Sequence, residues 1–332
     1  MVRRTFPLLI VSCLLALVVV VGWESSVEAW GTGAGGDPNW GSTTFGGTST
    51  DYAGGVAVDG SGNVYTSGQF NNTVDFGAGD VTSAGGSDVF VTKHNSAGAH
   101  QWTTTWGGTV GDVGYSVAVD VSGNVYVTGY FNGTVNFGAG NVTSAGGTDV
   151  FVTKLNSSGA HQWTTTFGGT SSDRAEGLAV DGSGNVYVAG WFYATVDFGA
   201  GNVTHAGSGD VYVTKLNSSG AHQWTTTFGG TSSELARSVA VDGSGNVYVT
   251  GQFNGTVNFG AGDVTSAGNT DVFVVKLDSA GDATVTTSDP PDPAPPAPCP
   301  WPTAFYAYQS GCVEPLQGAI SVDSDGTLFT TG

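Results

Sequence analysis

Five polar and aromatic side chains interrupt an otherwise repetitive sequence. They are Arg174, Glu176, Trp191, Tyr193 and His205. The other repeats hold mostly small or uncharged residues at the equivalent positions. Tryptophan and tyrosine beside arginine, glutamate and histidine could stack on and hydrogen-bond a sugar or a peptide. We therefore take the five as candidate ligand-binding residues. The alternative is that they are drifted surface residues, with a weak ion pair between Arg174 and Glu176.

No residues show the pattern of a catalytic site. His100, His161 and His222 recur once per repeat beside a tryptophan, whereas a nucleophile triad would occur once. Glycoside hydrolysis needs two carboxylates flanking one bond, and no pair stands out from the sequence. We expect a protein that is not an enzyme. A hydrolase or lyase with catalytic residues partly outside this sequence is the alternative, with Glu176 and His205 as its candidates.

The oxygen-bearing side chains of the repeated DGSGN segment (59–63 and its copies), which are Asp, Ser and Asn, have the spacing of ligands in a calcium loop. Valine stands where that loop needs its tight-turn glycine, so a hairpin turn is the simpler interpretation. Asp323 and Asp325 are slightly more calcium-like and are kept as weak candidates. No other cofactor is predicted.

The positions of these residues follow from an internal repeat. Asp59, Asp120, Asp181 and Asp242 are each 61 residues apart, and the sequence around them is nearly the same. Each repeat predicts four strands, A to D, rich in valine, tyrosine, phenylalanine and threonine. In the second repeat these are Ser116–Val119, Val125–Thr128, Asp149–Leu155 and His161–Phe167.

The predicted strands carry large side chains on both faces, as in Val125-Tyr126-Val127. A sheet that is buried on both sides needs this pattern, and each propeller blade is covered by two neighbours. We predict an all-β fold: a β-propeller of four-stranded blades, about 61 residues each, incomplete at four repeats plus part of a fifth. A solenoid or another stacked array is the alternative.

The repeats resemble those of the SBBP family of bacterial β-propellers. The similarity lies in FGGT (Phe167–Thr170), AVDGSGNVYVAG (Ala179–Gly190) and DVYVTKLNSSG (Asp210–Gly220), and it extends over about residues 40–282. The blades are also similar to NHL-type blades. The resemblance implies a propeller but no particular activity, because the family has none in common. The long segment Phe131–Gly147 between strands B and C departs from the pattern.

The repeat sets the domain boundaries. Residues 30–39 form a glycine-rich leader, 40–284 the four repeats, 285–318 a proline-rich insertion or linker, and 319–332 the truncated start of a fifth repeat. Trp40–Phe45 matches strand D and could complete the last blade of a ring. Cys299 and Cys312 are predicted to form a disulfide within the linker.

Residues 1–29 have the order of a secretory signal: Arg3 and Arg4, an apolar run, then Val27-Glu28-Ala29. A membrane anchor, or a lipoprotein signal at Cys13, is the alternative. Without this segment the net charge stays at −19. Acidity of this extent argues against binding nucleic acid or anionic membranes. We expect a secreted, periplasmic or cell-surface protein whose partner is a carbohydrate or a protein.

Propeller strands run alternately up and down, so the loops sort by face. The short A–B and C–D turns fall on one face, and the D–A loops and long B–C segments fall on the other. Long loops on a rigid scaffold are the usual place of function. All five candidate residues map to this long-loop face.

Overall fold

The computed structural model describes residues 42–284, 320–322 and 328–330. The described residues form strands and turns, with no helix among them. None of this part of the chain can therefore cross a membrane as a long apolar helix. The predicted signal and leader, the linker with Cys299 and Cys312, and the calcium candidates Asp323 and Asp325 lie outside the described residues.

Each repeat folds into one small antiparallel sheet with an extra hairpin between its second and third main strands. The first repeat contains β1 (Tyr52–Val58), β2 (Val64–Phe70), β3 (Thr73–Asp75), β4 (Asp80–Thr82), β5 (Asp88–His94) and β6 (His100–Trp106). The second contains β7 (Val113–Val119), β8 (Val125–Asn136), β9 (Asn141–Leu155) and β10 (His161–Phe167).

The third repeat contains β11 (Arg174–Val180), β12 (Val186–Phe192), β13 (Thr195–Asp197), β14 (Asn202–Thr204), β15 (Asp210–Leu216) and β16 (His222–Phe228). The fourth contains β17 (Leu235–Val241), β18 (Val247–Phe253), β19 (Thr256–Asn258), β20 (Asp263–Thr265) and β21 (Asp271–Leu277). A short antiparallel pair follows, β22 (Ile320–Val322) with β23 (Leu328–Thr330).

The main strands pair in chain order, so each repeat is a four-stranded blade; the fourth shows three strands within the described residues. Strand A of the second blade starts at Val113, three residues before the predicted Ser116. The long segment between strands B and C is a hairpin rather than a loop. In the second blade it continues β8 and β9, with Thr134 opposite Thr143.

The blades stack face to face, which confirms the propeller arrangement. In β9, Phe151 packs with residues of the first blade, while Val150 and Val152 pack with residues of the third. Burial of both faces explains why these strands do not alternate between apolar and polar residues. β7 packs on β1 and β2, β11 on β7 and β8, and β17 on β11 and β12. Strands A therefore form the inner rim of the array.

The outer strands fasten each blade to the next. The indole N–H of Trp163 donates to the carbonyl of Ser218 at 3.1 Å, and the hydroxyl of Thr165 donates to that of Gly220 at 2.8 Å. The same pair of bonds is made by Trp102 with Thr104 and by Trp224 with Thr226. The repeated His-Gln-Trp segment is thus a docking element between blades, which explains its recurrence.

The turns between strands A and B are held by the repeated aspartate. Asp59 accepts hydrogen bonds from the backbone of Ser61 and Asn63, from the Asn63 amide and from the Tyr65 hydroxyl. Gly62 has a φ of 77°, which a residue with a side chain rarely adopts. Both carboxylate oxygens are used inside the turn, as the hairpin interpretation of DGSGN requires.

One face of the first blade is uncovered by the described residues. Val56 is 67% exposed, whereas the equivalent Val117 and Val239 are 6% and 5% exposed. Phe45 packs on Phe76 and Phe90 at the outer part of this face, with ring centroids 5.3 and 5.4 Å apart. Phe45 thereby takes the place that the last residue of strand D takes between later blades. The described part of the predicted strand 40–45, residues 42–45, is not a strand.

Candidate functional site

A bulge occurs at the same point of every strand A. The register with strand B shifts once in each blade, between the residues on either side of one extra residue. The extra residues are Gly54, Tyr115, Glu176 and Arg237. A bulge leaves its residue outside the ladder and redirects the side chain. Because strands A form the inner rim, four different residue types are presented there by four nearly identical blades.

Two further positions beside the bulge also vary between blades. The first residue of strand A is Tyr52, Val113, Arg174 or Leu235. Its partner near the end of strand B is Gln69, Tyr130, Trp191 or Gln252. The variation is concentrated at one end of the two inner strands. We infer that the blades differ in function at this end.

Arg174 lies between two aromatic rings from different blades. Its guanidinium carbon is 4.6 Å from the Tyr130 ring centroid and 5.2 Å from that of Trp191. Nη1 donates to the Tyr115 hydroxyl at 3.4 Å, which is a long hydrogen bond. Nε is buried without a hydrogen-bond partner among the described residues. Stacking holds the guanidinium in place while leaving most of its donors free.

Glu176 pairs with Arg237 of the next blade, not with Arg174 as the sequence suggested. Arg237 Nη1 lies 3.7 Å from Glu176 Oε2, with side-chain exposures of 36% and 14%. Burial raises the pKa of Glu176, while Arg237 and a hydrogen bond from the Trp191 side chain act in the opposite direction. At 3.7 Å the pair is longer than a hydrogen-bonded ion pair.

Tyr193 and His205 extend the aromatic contacts away from the rim. The ring centroids of Trp191 and Tyr193 are 5.3 Å apart, and those of Tyr193 and His205 are 6.1 Å apart. His205 Nδ1 is buried without a partner among the described residues. The equivalent Ser144 instead accepts a hydrogen bond from the Gly133 backbone. The structure thus brings all five predicted residues into one continuous group of contacts.

Buried acids behind this group hold its loops. Asp173 accepts the backbone N–H groups of Gly169 and Tyr193, at 2.8 and 2.9 Å. Burial raises the pKa of Asp173 to about 6. The equivalent Asp112 accepts the backbone N–H groups of Gly108 and Asn132, and burial raises its pKa to about 6 as well. These acids fasten the D–A loop to the B–C segment. They are supports of the site rather than part of it.

A cavity opens between the first and second blades. Its volume is about 390 Å³. It is lined by Tyr52, Ala53, Gly54, Gln69, Val113, Gly114, Tyr115 and Tyr130. Tyr115 and Tyr130 also contact Arg174, and their rings lie 5.7 Å apart. This volume is at the lower end of the range for small-molecule sites.

We call six residues the axial cluster: Tyr115, Tyr130, Arg174, Glu176, Trp191 and Arg237. Sequence reasoning missed Tyr115, Tyr130 and Arg237. A register-by-register comparison of the four repeats would have found them, because all three stand at positions that differ between repeats. No group of three or more histidine, cysteine, aspartate or glutamate side chains is arranged to hold a metal in the described part of the chain.

A family model described as a β-propeller repeat, SBBP, matches residues 162–191 and 223–257. Regulatory protein FlaEY of Caulobacter vibrioides is 31% identical over 231 residues, which are 66% of this chain and 24% of that protein. An uncharacterised WD repeat-containing protein of Acanthamoeba polyphaga mimivirus is 24% identical over 362 residues, covering 86% of this chain and 25% of that protein. The chain spans about a quarter of the length of these relatives.

Proposed function

Because this chain is a β-propeller repeat protein of the SBBP type, we propose that it is exported and binds a carbohydrate through its axial cluster, without catalysing a reaction. The observation that carries the proposal is the convergence of the residues that differ between blades. Tyr115, Arg174 and Arg237 come from three blades and meet at one end of the inner strands.

The chemistry of the cluster suits a sugar. Sugars present apolar C–H faces that stack on aromatic rings, and hydroxyl groups that need directed polar partners. Tyr115 and Tyr130 offer rings at the mouth of the cavity, and Gln69 lines it with an amide. Arg174 adds guanidinium N–H groups, of which the structure gives one hydrogen bond within the described residues, from Nη1 to Tyr115.

Export is supported by the signal-like order of residues 1–29 and by the net charge of −19. A strongly acidic surface keeps a protein soluble and dispersed outside the cell. The alternative is that the array is a passive structural spacer, which gives the bulge residues no partner. Their replacement would then change no binding or surface phenotype.

The test is a glycan array probed with the full chain and with Arg174→Leu. Leucine stands at the equivalent position of the fourth blade, so the variant should fold. We expect the full chain to bind a subset of glycans and Arg174→Leu to lose at least tenfold in affinity. Gln162→Ala is the matched control, because Gln162 is exposed on strand D and bonds only to its neighbouring carbonyls. The proposal fails if no glycan binds, or if Arg174→Leu binds as Gln162→Ala does.

A further inference from the structure

The axial cluster holds an unusual share of the positive charge of this acidic protein. Beyond the signal-like segment the chain has only two arginines, Arg174 and Arg237, and both belong to the cluster. The four lysines lie elsewhere, each with its ammonium over a tyrosine ring of its own blade, as Lys154 does over Tyr126 at 5.0 Å. The cluster therefore offers two guanidinium groups against the single carboxylate of Glu176.

Among the described residues no carboxylate is in direct contact with Arg174, and Glu176 acts on it only at longer range. The one ion pair among the described residues joins Glu176 to Arg237, so no carboxylate lies within 4.0 Å of the Arg174 guanidinium. Arginine is costly to bury without a partner, and its fork of donors matches a carboxylate bidentately. Two flanking rings fix the plane of the guanidinium before any ligand arrives. This is the arrangement of a preformed carboxylate receptor.

Two residues that the guanidinium and the aromatic cavity share limit the kind of anion. Tyr115 and Tyr130 touch the guanidinium and line the cavity at the same time. A ligand that uses both features must carry its carboxylate directly beside a compact ring. A uronic acid meets this requirement, because its carboxylate is attached to the sugar ring. A flexible acidic peptide does not present such a ring.

We propose that the axial cluster binds an acidic sugar, a uronic acid unit, with its carboxylate on the Arg174 guanidinium and its ring in the cavity beside Tyr115 and Tyr130. The inference rests on the proposed carbohydrate binding and adds the charge of the ligand. Arg237 contributes a second cation, which Glu176 holds near the site through their ion pair.

The test is calorimetric titration of the full chain with oligosaccharides of glucuronic, galacturonic and mannuronic acid, in α- and β-linked forms. The fully methyl-esterified form of each is the matched probe, because it keeps the ring and removes the charge. We expect at least one acid to bind tenfold or more tighter than its ester. The difference should shrink at high salt, because screening weakens an exposed ion pair.

Protein variants assign the effect to Arg174. Arg174→Gln should lower the affinity for the acid to the affinity for the ester. Arg174→Lys should give an intermediate affinity for the acid, since lysine keeps the positive charge but cannot bind a carboxylate bidentately. Gln162→Ala should leave both affinities unchanged. Circular dichroism and the unfolding midpoint show whether each variant is folded.

The outcomes separate the two proposals. If esters bind as tightly as acids, carbohydrate binding stands and the acidic-sugar inference falls. If neither acids nor esters bind, and the glycan array is also empty, the proposed function itself falls. If a tri-aspartate peptide binds as tightly as the best uronic acid, the site recognises charge without a ring and the inference is overturned.

Discussion

Arg174 depends on a hydroxyl that the other blades lack. Tyr212 is buried in strand C of the third blade, where the other blades have phenylalanine, and its hydroxyl donates to the Arg174 carbonyl at 3.2 Å. The bond fixes the backbone of the residue that carries the guanidinium. Tyr212 is a positioning residue, since the hydroxyl reaches the site only through the main chain of Arg174.

Removal of this hydroxyl by Tyr212→Phe restores the residue of the other blades. A net hydrogen bond is worth about 1 kcal/mol, so we expect the free energy of unfolding in urea to fall by about that amount. Ligand affinity should weaken while the fold is kept. A variant with unchanged stability and unchanged affinity would show that the bond positions nothing.

The buried acids give stability a pH dependence of a definite sign. The pKa values of Asp112 and Asp173 are raised to about 6 in the folded protein, above the ordinary aspartate range near 4. Between these values the folded state holds the proton and the unfolded state does not. The stability that these groups contribute is therefore fully present below about pH 4 and is lost as the pH rises through 6.

We expect each acid to contribute roughly 1–3 kcal/mol to this fall between pH 4.5 and 7.5. Denaturation of the wild type and of Asp112→Asn at both pH values measures it. The variant loses one acceptor and is less stable overall, but its profile should be flatter. A profile as steep as that of the wild type would contradict the assignment.

At the scale of elements, blade contacts depend on strand D as much as on apolar packing. The Trp163 indole bonds to the Ser218 carbonyl in the next blade, and its ring packs over the turn at Gly220. A side chain on Gly220 would meet this ring, and its φ of 82° also favours glycine. The repeated tryptophan and the repeated glycine therefore form one contact between neighbouring blades.

Trp163→Phe keeps a ring and removes the N–H donor. We expect a loss of about 1 kcal/mol in the free energy of unfolding, because water can reach the freed carbonyl of this partly exposed contact. Gln162→Ala, one residue away on the outer side, should change stability by less than about 0.5 kcal/mol. Equal losses of unfolding free energy in the two variants would show that the indole hydrogen bond does not stabilise the contact between blades.

The sequence predicts elements better than it predicts their irregularities. Large side chains on both faces of Val125-Tyr126-Val127 were enough to predict stacked sheets, because this pattern indicates that both faces are buried. The bulges at Tyr115 and Arg237 leave no such pattern, since an extra residue in a ladder is visible only once the partner strand is placed. The extension of β8 and β9 was missed because Gly133 and Gly138 both indicate turns, whereas Gly133 lies at a bulge inside β8 and Gly138 lies in the turn between the two strands. Arg174 and Trp191 were found as departures from the repeat, but their stacking needed the pairing of β11 with β12.

At the scale of the whole molecule, the first blade differs from the rest in what covers it. Val56 and Val58 of β1 are 67% and 60% exposed, although the equivalent residues of the later blades pack between sheets. The same sequence pattern thus serves two environments. Only the arrangement of the blades in space distinguishes them.

Threonine in place of valine measures this difference. Val117→Thr and Val239→Thr bury a hydroxyl and should cost about 1–3 kcal/mol of unfolding free energy. Val56→Thr should cost less than about 0.5 kcal/mol, because the position faces solvent. Equal losses at Val56 and Val117 would mean that the face of the first blade is covered in solution.

One bulge residue per blade has a consequence for how such proteins diversify. A genetic exchange that swaps one 61-residue unit for another replaces the bulge residue and the two variable positions beside it, while most residues that stack between blades stay the same. Recombination among near-identical units can therefore assort recognition residues combinatorially, without any need to redesign a hydrophobic interior. New specificities become a matter of reshuffling copies rather than of accumulating point changes.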